Sequence, residues 1–223
     1  MRLGRLFAAL IALATLAGCE GTELPGFLAG SADTAGAAGA GGAAPASSIP
    51  PKPPTRLTVT GVTVAAPEGY CVDTRARKGG FVLLAACSAI SQSPEHPAPG
   101  RMGLLTATIG KRGSGADPVN PGQLAAYFRS ASGRAALSYA GEASSVVITE
   151  TVERPGLFMV ALVDSAAPPS PELGTARWRG FFTVNGRLVS VVLHSLKDDP
   201  VGKQAGLGLL QEFVARIRAE TAG

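Results

Sequence analysis

Trp178-Arg179-Gly180-Phe181-Phe182-Thr183-Val184-Asn185-Gly186-Arg187-Leu188-Val189-Ser190-Val191-Val192-Leu193-His194-Ser195-Leu196 decides how this chain folds. Two runs rich in β-branched and aromatic residues flank Asn185-Gly186. That dipeptide supports the positive φ angles of a two-residue hairpin turn at little steric cost. The predicted register sets Phe182 against Val189, Trp178 against Leu193 and Arg177 against His194. Both faces of the second run carry apolar residues, which predicts a central strand covered on two sides.

Working outward, residues 146–152 and 157–164 are predicted strands joined by the reverse-turn sequence Glu153-Arg154-Pro155-Gly156. Residues 57–65, rich in Val and Thr, read as one strand that Pro67-Glu68-Gly69 breaks. Residues 70–73 read as the end of a strand, 81–90 as a strong strand, and 102–109 as another with Gly110 at its end. Asn120-Pro121-Gly122-Gln123 is a helix start, with Asn120 able to cap and Pro121 suited to the first helical position. Leu124, Tyr127, Phe128 and Ala131 then fall on one helical face, and Gly133 is a natural stop. Asp199-Pro200 is expected to start a closing helix that runs to about Ala219, with Leu210, Phe213, Val214 and Ile217 as its buried stripe. Gly202, Gly206 and Gly208 either weaken its first turns or let it approach the sheet closely. Strands, a helix, strands in hairpins and a last helix predict an α+β fold, a largely antiparallel sheet covered by two helices.

The order of elements resembles the PsbP-like α/β/α sandwich. The likeness rests on the Pro67-Glu68-Gly69-Tyr70 turn after the first strand, the middle helix, the Asn185-Gly186 hairpin and the long closing helix. It implies the layered fold and assigns no site residues, and fold alone does not supply function.

Arg2 and Arg5 precede an apolar run of eleven residues, Leu6 to Leu16. A membrane-spanning helix needs about 20 such residues, so this run is too short to span. Ala17 and Gly18 then provide the small residues of a cleavage site. Leu16-Ala17-Gly18-Cys19 resembles the lipobox of bacterial lipoproteins. The resemblance implies a signal peptide at 1–18, diacylglyceryl attachment to the Cys19 thiol, cleavage before Cys19 and acylation of the new amine. Two or three acyl chains hold a membrane stably, whereas one binds it only marginally. Glu20 stands where the family's sorting rule places aspartate for retention at the inner membrane. Its presence favours the outer membrane, with the domain in the periplasm. The periplasmic face of the inner membrane is the alternative.

Residues 19–55 read as a linker. Residues 29–48 are almost entirely Ala, Gly and Ser, a composition that buries too little apolar surface to offset its ordering entropy. Ile49-Pro50-Pro51-Lys52-Pro53-Pro54 then favours polyproline II. A flexible chain of this length has an end-to-end distance of about 30–35 Å. Residues 56–221 remain as a single domain. Aromatics make up only 5% of the chain, so the core must rest on Val, Leu, Ile and Ala.

Cys71 and Cys87 would sit in an oxidising compartment after export, where such a pair forms a disulfide. A hairpin centred on Gly79 would place Cys71 directly across from Cys87, within bonding distance. The spacing offers neither a Cys-x-x-Cys redox pair nor the ligands of a zinc site.

The chain carries a formal net charge of +4. The leader holds Arg2 and Arg5, and the linker sets Glu20, Glu23 and Asp33 against Lys52, so the domain itself is basic. In an envelope compartment its counterparts are lipid phosphates, an anionic polymer or an acidic protein face. A nucleic-acid partner is not expected, because no basic stripe interleaved with aromatics occurs. Lys111 and Arg112, in a Gly-rich loop, and Arg177 and Arg179, flanking Trp178, are the candidate anion or partner contacts. Gly110-Lys111-Arg112-Gly113-Ser114-Gly115 lacks the Gly-Lys-Ser/Thr step into a helix that a phosphate loop requires, and reads as a mobile basic loop.

His194-Ser195 is an adjacent pair but lacks the strained elbow of a Ser-His hydrolase. His194 reads as a strand histidine, and His96 as a histidine of a Pro-rich loop. Asp198 and Asp199 read as helix-capping neighbours rather than carboxylates facing across a cleft. No catalytic residue, metal ligand or cofactor is assigned. The expected function is a membrane-anchored, periplasm-facing, non-enzymatic binding or structural component of the cell envelope. The alternatives are a small-molecule or lipid-binding module, and a hydrolase using His194 and Ser195.

Overall fold

The computed structural model describes residues 49–222. The expected leader, Cys19 and the linker as far as residue 48 lie outside the described residues. The elements are β1 (Arg56–Val59), β2 (Val62–Ala65), β3 (Tyr70–Lys78), β4 (Phe81–Ala86), α1 (Cys87–Ser91), β5 (Gly103–Ile109), α2 (Pro121–Arg129), α3 (Ala131–Leu137), β6 (Val146–Arg154), β7 (Leu157–Asp164), β8 (Leu173–Val184), β9 (Arg187–Leu196) and α4 (Lys203–Ala222). Every strand pairing among them is antiparallel, in a hairpin of β1 and β2 and a seven-stranded sheet ordered β3-β4-β5-β9-β8-β7-β6. The fold is α+β.

Asn185 (φ 48°) and Gly186 (φ 66°) make the left-handed pair that the tight β8–β9 turn needs. Phe182 faces Val189, Trp178 faces Leu193 and Arg177 faces His194, as the sequence predicts. β9 is the middle strand of the seven.

Alternation along the strands creates two unequal faces. On the first, Trp178, Phe182, Val189, Val191 and Leu193 join Leu210, Phe213, Val214 and Ile217 of α4 and Val59, Val62 and Val64 of the β1–β2 hairpin in one core. Gly206 brings α4 close to the sheet, since a Cβ there would stand 2.7 Å from Trp178 Cδ1. Gly202 and Gly208 play no such part, for an added Cβ meets nothing at either.

On the second face, Ala125, Phe128 and Leu137 of α2 and α3 pack on Val146, Phe158, Val160, Leu162 and Phe181. Phe128 stacks on Phe158 and Phe181, with ring centroids 5.6 and 5.1 Å apart. This cover ends at β8. Leu188, Ser190, Val192 and His194 of β9 stay half-buried on that side, so β9 is fully covered on one face only. Among the described residues four helices, rather than two, cover the sheet loosely.

Several predicted elements need correction. Residues 57–65 are two strands, because Thr60 (φ 50°) and Gly61 (φ 82°) form a tight turn between them. The strand expected over 81–90 stops at Ala86, and Cys87–Ser91 is helical. β-branched residues are sparse there, and Ala89 within the helical segment is a good helix former. α2 begins as predicted, with the Gln123 N–H donating to Asn120 Oδ1 (3.1 Å), but it ends at Arg129. Ser130 closes α2 and caps α3, its Oγ accepting the Gly133 N–H at 3.1 Å. Gly133 therefore lies inside α3, where a Cβ would run into Tyr127 O. α4 starts at Lys203, leaving Asp198 and Asp199 in an exposed connection. Pro200 holds the residue before it out of the helical region.

Cys71 and Cys87 are joined by a disulfide, with Cα atoms 4.8 Å apart. They are not opposed strand residues, however. A register shift between Asp73 and Lys78 sets Cys71 against Ala85, and Cys87 is the first residue of α1. The bond thus clamps the edge strand β3 to a helix. Nearby, Pro54 O accepts the Val72 N–H (2.7 Å) and Thr55 O accepts the Ala66 N–H (2.8 Å), so the chain is hydrogen-bonded into the domain before Arg56.

Candidate functional site

The half-covered face carries the polar chemistry. β7 ends in Asp164, whose carboxylate is fully buried. Oδ2 accepts the Tyr139 N–H (2.6 Å) and an Arg177 Nη2 hydrogen (3.1 Å), and Oδ1 accepts the Ala166 N–H (3.1 Å). Burial opposes the charged carboxylate. Hydrogen bonds from Ser145, from the Tyr139 and Ala166 amides and from Arg177 outweigh it, and Asp164 titrates below the usual carboxylate range. Arg177 Nη2 also donates to Leu137 O, which ties the end of α3 to β8. The Arg177 guanidinium carbon lies 3.7 Å from the Tyr139 ring centroid, and Tyr139 Oη is 2.9 Å from His194 Nδ1. Burial, then the charges of Arg177 and Arg179, lower the His194 pKa to about 4, so the imidazole is neutral at physiological pH.

Arg179 lies two residues further along the same face of β8 and is half-buried. Its Nε donates to Ser190 Oγ (3.1 Å) and its Nη1 to Ala136 O (3.3 Å), both neutral acceptors. Its guanidinium carbon is 5.1 Å from the Phe181 ring centroid. Among the described residues no carboxylate pairs with it. Burial, with Arg177 beside it, pushes its pKa down. The contrast is sharp: Arg177 is matched by Asp164, while Arg179 carries a charge without a counter-charge.

Arg179 lines a pocket of about 370 Å3 whose apolar walls come from Val119, Leu124, Phe128, Phe181 and Leu188. Three local arrangements build it. The Gly113 and Gly115 N–H groups donate to Gly186 O (3.1 and 3.2 Å). Ser114 Oγ accepts the Leu188 N–H (3.0 Å), and Asn120 caps α2. The basic loop expected to be mobile is therefore held on the β8–β9 turn. Gln123 and Tyr127 add polar groups to the wall, and Asp117 is its carboxylate. A second pocket of about 460 Å3 opens at the opposite end of β8, between Pro168, Pro171, Leu173, Leu196 and Pro200.

The four predicted contact residues fall into three environments. Arg179 lines the pocket, Lys111 and Arg112 are exposed on the loop outside it, and Arg177 is only 5% exposed and engaged by Asp164. A solvent-facing role for Arg177 is thereby corrected. His194 and Ser195 point to opposite faces, as neighbours on a strand must, so they cannot form a nucleophile–base pair. His96 stays in its Pro-rich loop with Nδ1 buried and unpaired. Tyr139 and Asp164 were not singled out from the sequence. The available signal was a lone acid closing the apolar run 157–164. Among the described residues no three His, Cys, Asp or Glu side chains converge as a metal site would need, and no helix is long and apolar enough to cross a membrane. No family model matches this chain, and no curated protein matches it with significant similarity.

Proposed function

We propose that this chain is a lipid-anchored envelope lipoprotein whose domain is a non-enzymatic binding module, and that the α2-side pocket takes a small amphiphilic anion. One observation carries the binding reading: Arg179, half-buried and without a carboxylate partner, sits in a pocket whose other walls are mostly apolar. A half-buried cation is only partly hydrated and gains from an anion that joins it. Apolar walls with a few converging polar groups are the usual form of a small-molecule site. A carboxylate or phosphate on a medium-length alkyl chain or an aryl group satisfies both demands.

Decanoate and decanol separate the two contributions. Decanoate is expected to raise the melting temperature of the protein, with a gain of about 2.7 kcal/mol at a hundredfold excess over Kd. Decanol is expected to do less, and Arg179→Met to remove the difference between them. Equal stabilisation by both ligands, unaffected by Arg179→Met, would refute the anion site. The anchor rests on Leu16-Ala17-Gly18-Cys19. Mass spectrometry of the native amino terminus should find acylated Cys19. Cys19→Ser should leave an uncleaved or soluble precursor, and membrane fractionation should place the native protein with the outer membrane. An unmodified Met1 terminus contradicts the anchor.

A further inference from the structure

The fold sorts charge by end. The end of the sheet formed by the Lys78–Phe81 turn, the Gly110–Gly115 loop and the Asn185-Gly186 turn carries Arg77, Lys78, Lys111 and Arg112, all exposed, and the half-buried Arg187. These segments are neighbours. The Ile109 N–H donates to Gly80 O (2.9 Å), the Gly110 N–H to Leu188 O (2.8 Å), and Arg187 Nη1 to Gly110 O (2.8 Å). None of the five cations has a carboxylate partner among the described residues, whereas Arg75 is paired with Asp73. Asp117 is an exposed acid beside them, and the β6–β7 turn at the same end adds exposed Glu153 together with Arg154. At the opposite strand ends the sign reverses, for Glu68, Glu95, Glu142, Glu172, Asp198 and Asp199 are exposed against Arg101, Lys197 and Lys203.

We propose that the basic end is a docking surface for an anionic phospholipid bilayer. Its shape favours an extended surface over a small anion. The tips at Gly79, Gly113 and Gly186 project into open space, where an added Cβ would meet nothing within 4 Å. The acid-rich opposite end gives the domain a preferred orientation, since turning it over would bring carboxylates to the lipid phosphates. Each Lys or Arg near such a surface strengthens binding about fivefold, the equivalent of about 1 kcal/mol. The reach suffices: Pro54 is held at Val72, and the six residues from there to Lys78 span about 20 Å of strand. That is shorter than the roughly 30 Å expected of the linker. Docking of this kind would set the mouth of the α2-side pocket beside the lipid headgroups. The inference depends on the lipid-anchored reading only for how often the domain meets a bilayer.

The test therefore uses unlipidated chain beginning at Glu20, which keeps the whole fold because both hydrophobic clusters draw their members from within residues 57–217. Flotation should recover it with phosphatidylglycerol vesicles and not with phosphatidylcholine vesicles, and added salt should release it. Reversing Arg77, Lys78, Lys111 and Arg112 to Glu should weaken binding more than a hundredfold at about fivefold per cation. Reversing Arg101, Lys197 and Lys203 should change it only a few-fold, which separates the patch from net charge. Salt release of the unaltered chain reads the same electrostatics without any risk of misfolding. Equal flotation with both lipids, equal loss in both variants, or binding to polyphosphate but not to vesicles would overturn the proposal. None of these outcomes depends on whether Cys19 is acylated.

Discussion

On the α4 face, Leu210, Phe213, Val214 and Ile217 are each at most 2% exposed and meet a continuous sheet of apolar side chains. On the α2–α3 face, the cover reaches only β6, β7 and β8, and beyond it Arg179, Ser190 and His194 stay within reach of solvent. The same strands supply both faces. α4 has one unbroken buried stripe along 20 residues, whereas Ser130 divides the other cover into α2 of 9 residues and α3 of 7. The long helix closes a core. The short pair leaves a step at its edge, and the pocket lies in that step. The main core and the proposed binding site thus lie on opposite faces, and substitutions should divide accordingly.

The largest losses should come from the closed face and from the ion pair that anchors the open one. Phe213→Ala removes a fully buried ring and should destabilise the domain by about 3–5 kcal/mol in denaturant unfolding, with decanoate binding by the remaining folded protein unchanged. A loss below about 1 kcal/mol would mean that the α4 face is not the main core. Arg177→Met leaves the buried Asp164 carboxylate without its counter-charge, and should cost about 3–5 kcal/mol. Adding Asp164→Leu should recover much of that loss. If it recovers none, the pair does not act as a unit.

A smaller effect is set by pH. His194 titrates near 4 in the folded chain and at its ordinary 6.5 when unfolded. Between these values the unfolded state holds the extra proton, so stability is full above about 6.5 and falls as pH drops towards 4, by up to about 3 kcal/mol. Asp164, held below the usual carboxylate range, adds a further loss only at lower pH. His194→Gln should flatten the profile between pH 6.5 and 4, and an unchanged slope would show that another group sets it. Leu188→Ala, on the pocket wall, should cost under about 1 kcal/mol of stability yet weaken decanoate binding several-fold, the reverse of Phe213→Ala. Weakened folding with intact binding would erase the contrast between the faces.

Much of the closed face was legible in the sequence. Asn185-Gly186 determined the register of β8 and β9, and helical spacing identified Leu210, Phe213, Val214 and Ile217. These signals are local and periodic. The disulfide was legible as a pair but not as a geometry, because the irregularity between Asp73 and Lys78 leaves no pattern in composition. The open face was harder to read. Arg177 looked like a solvated strand residue until the β7–β8 pairing brought Asp164 beside it, across a connection that periodicity does not resolve. Ser130 divides a helical stripe that reads as continuous, because one hydroxyl can serve both a helix end and a helix start. The pocket follows from that division and from a loop pinned by Gly186 O. Both are tertiary facts that a single sequence holds only implicitly.

Amide hydrogen exchange, measured with and without decanoate, tests the division between the faces most directly. Protection should rise in α2, in the Gly110–Val119 loop and around Leu188, and Arg179→Met should abolish the rise, while α4 exchanges at the same rate throughout. Protection gained in α4, or spread evenly over the sheet, would contradict a binding site on the half-covered face.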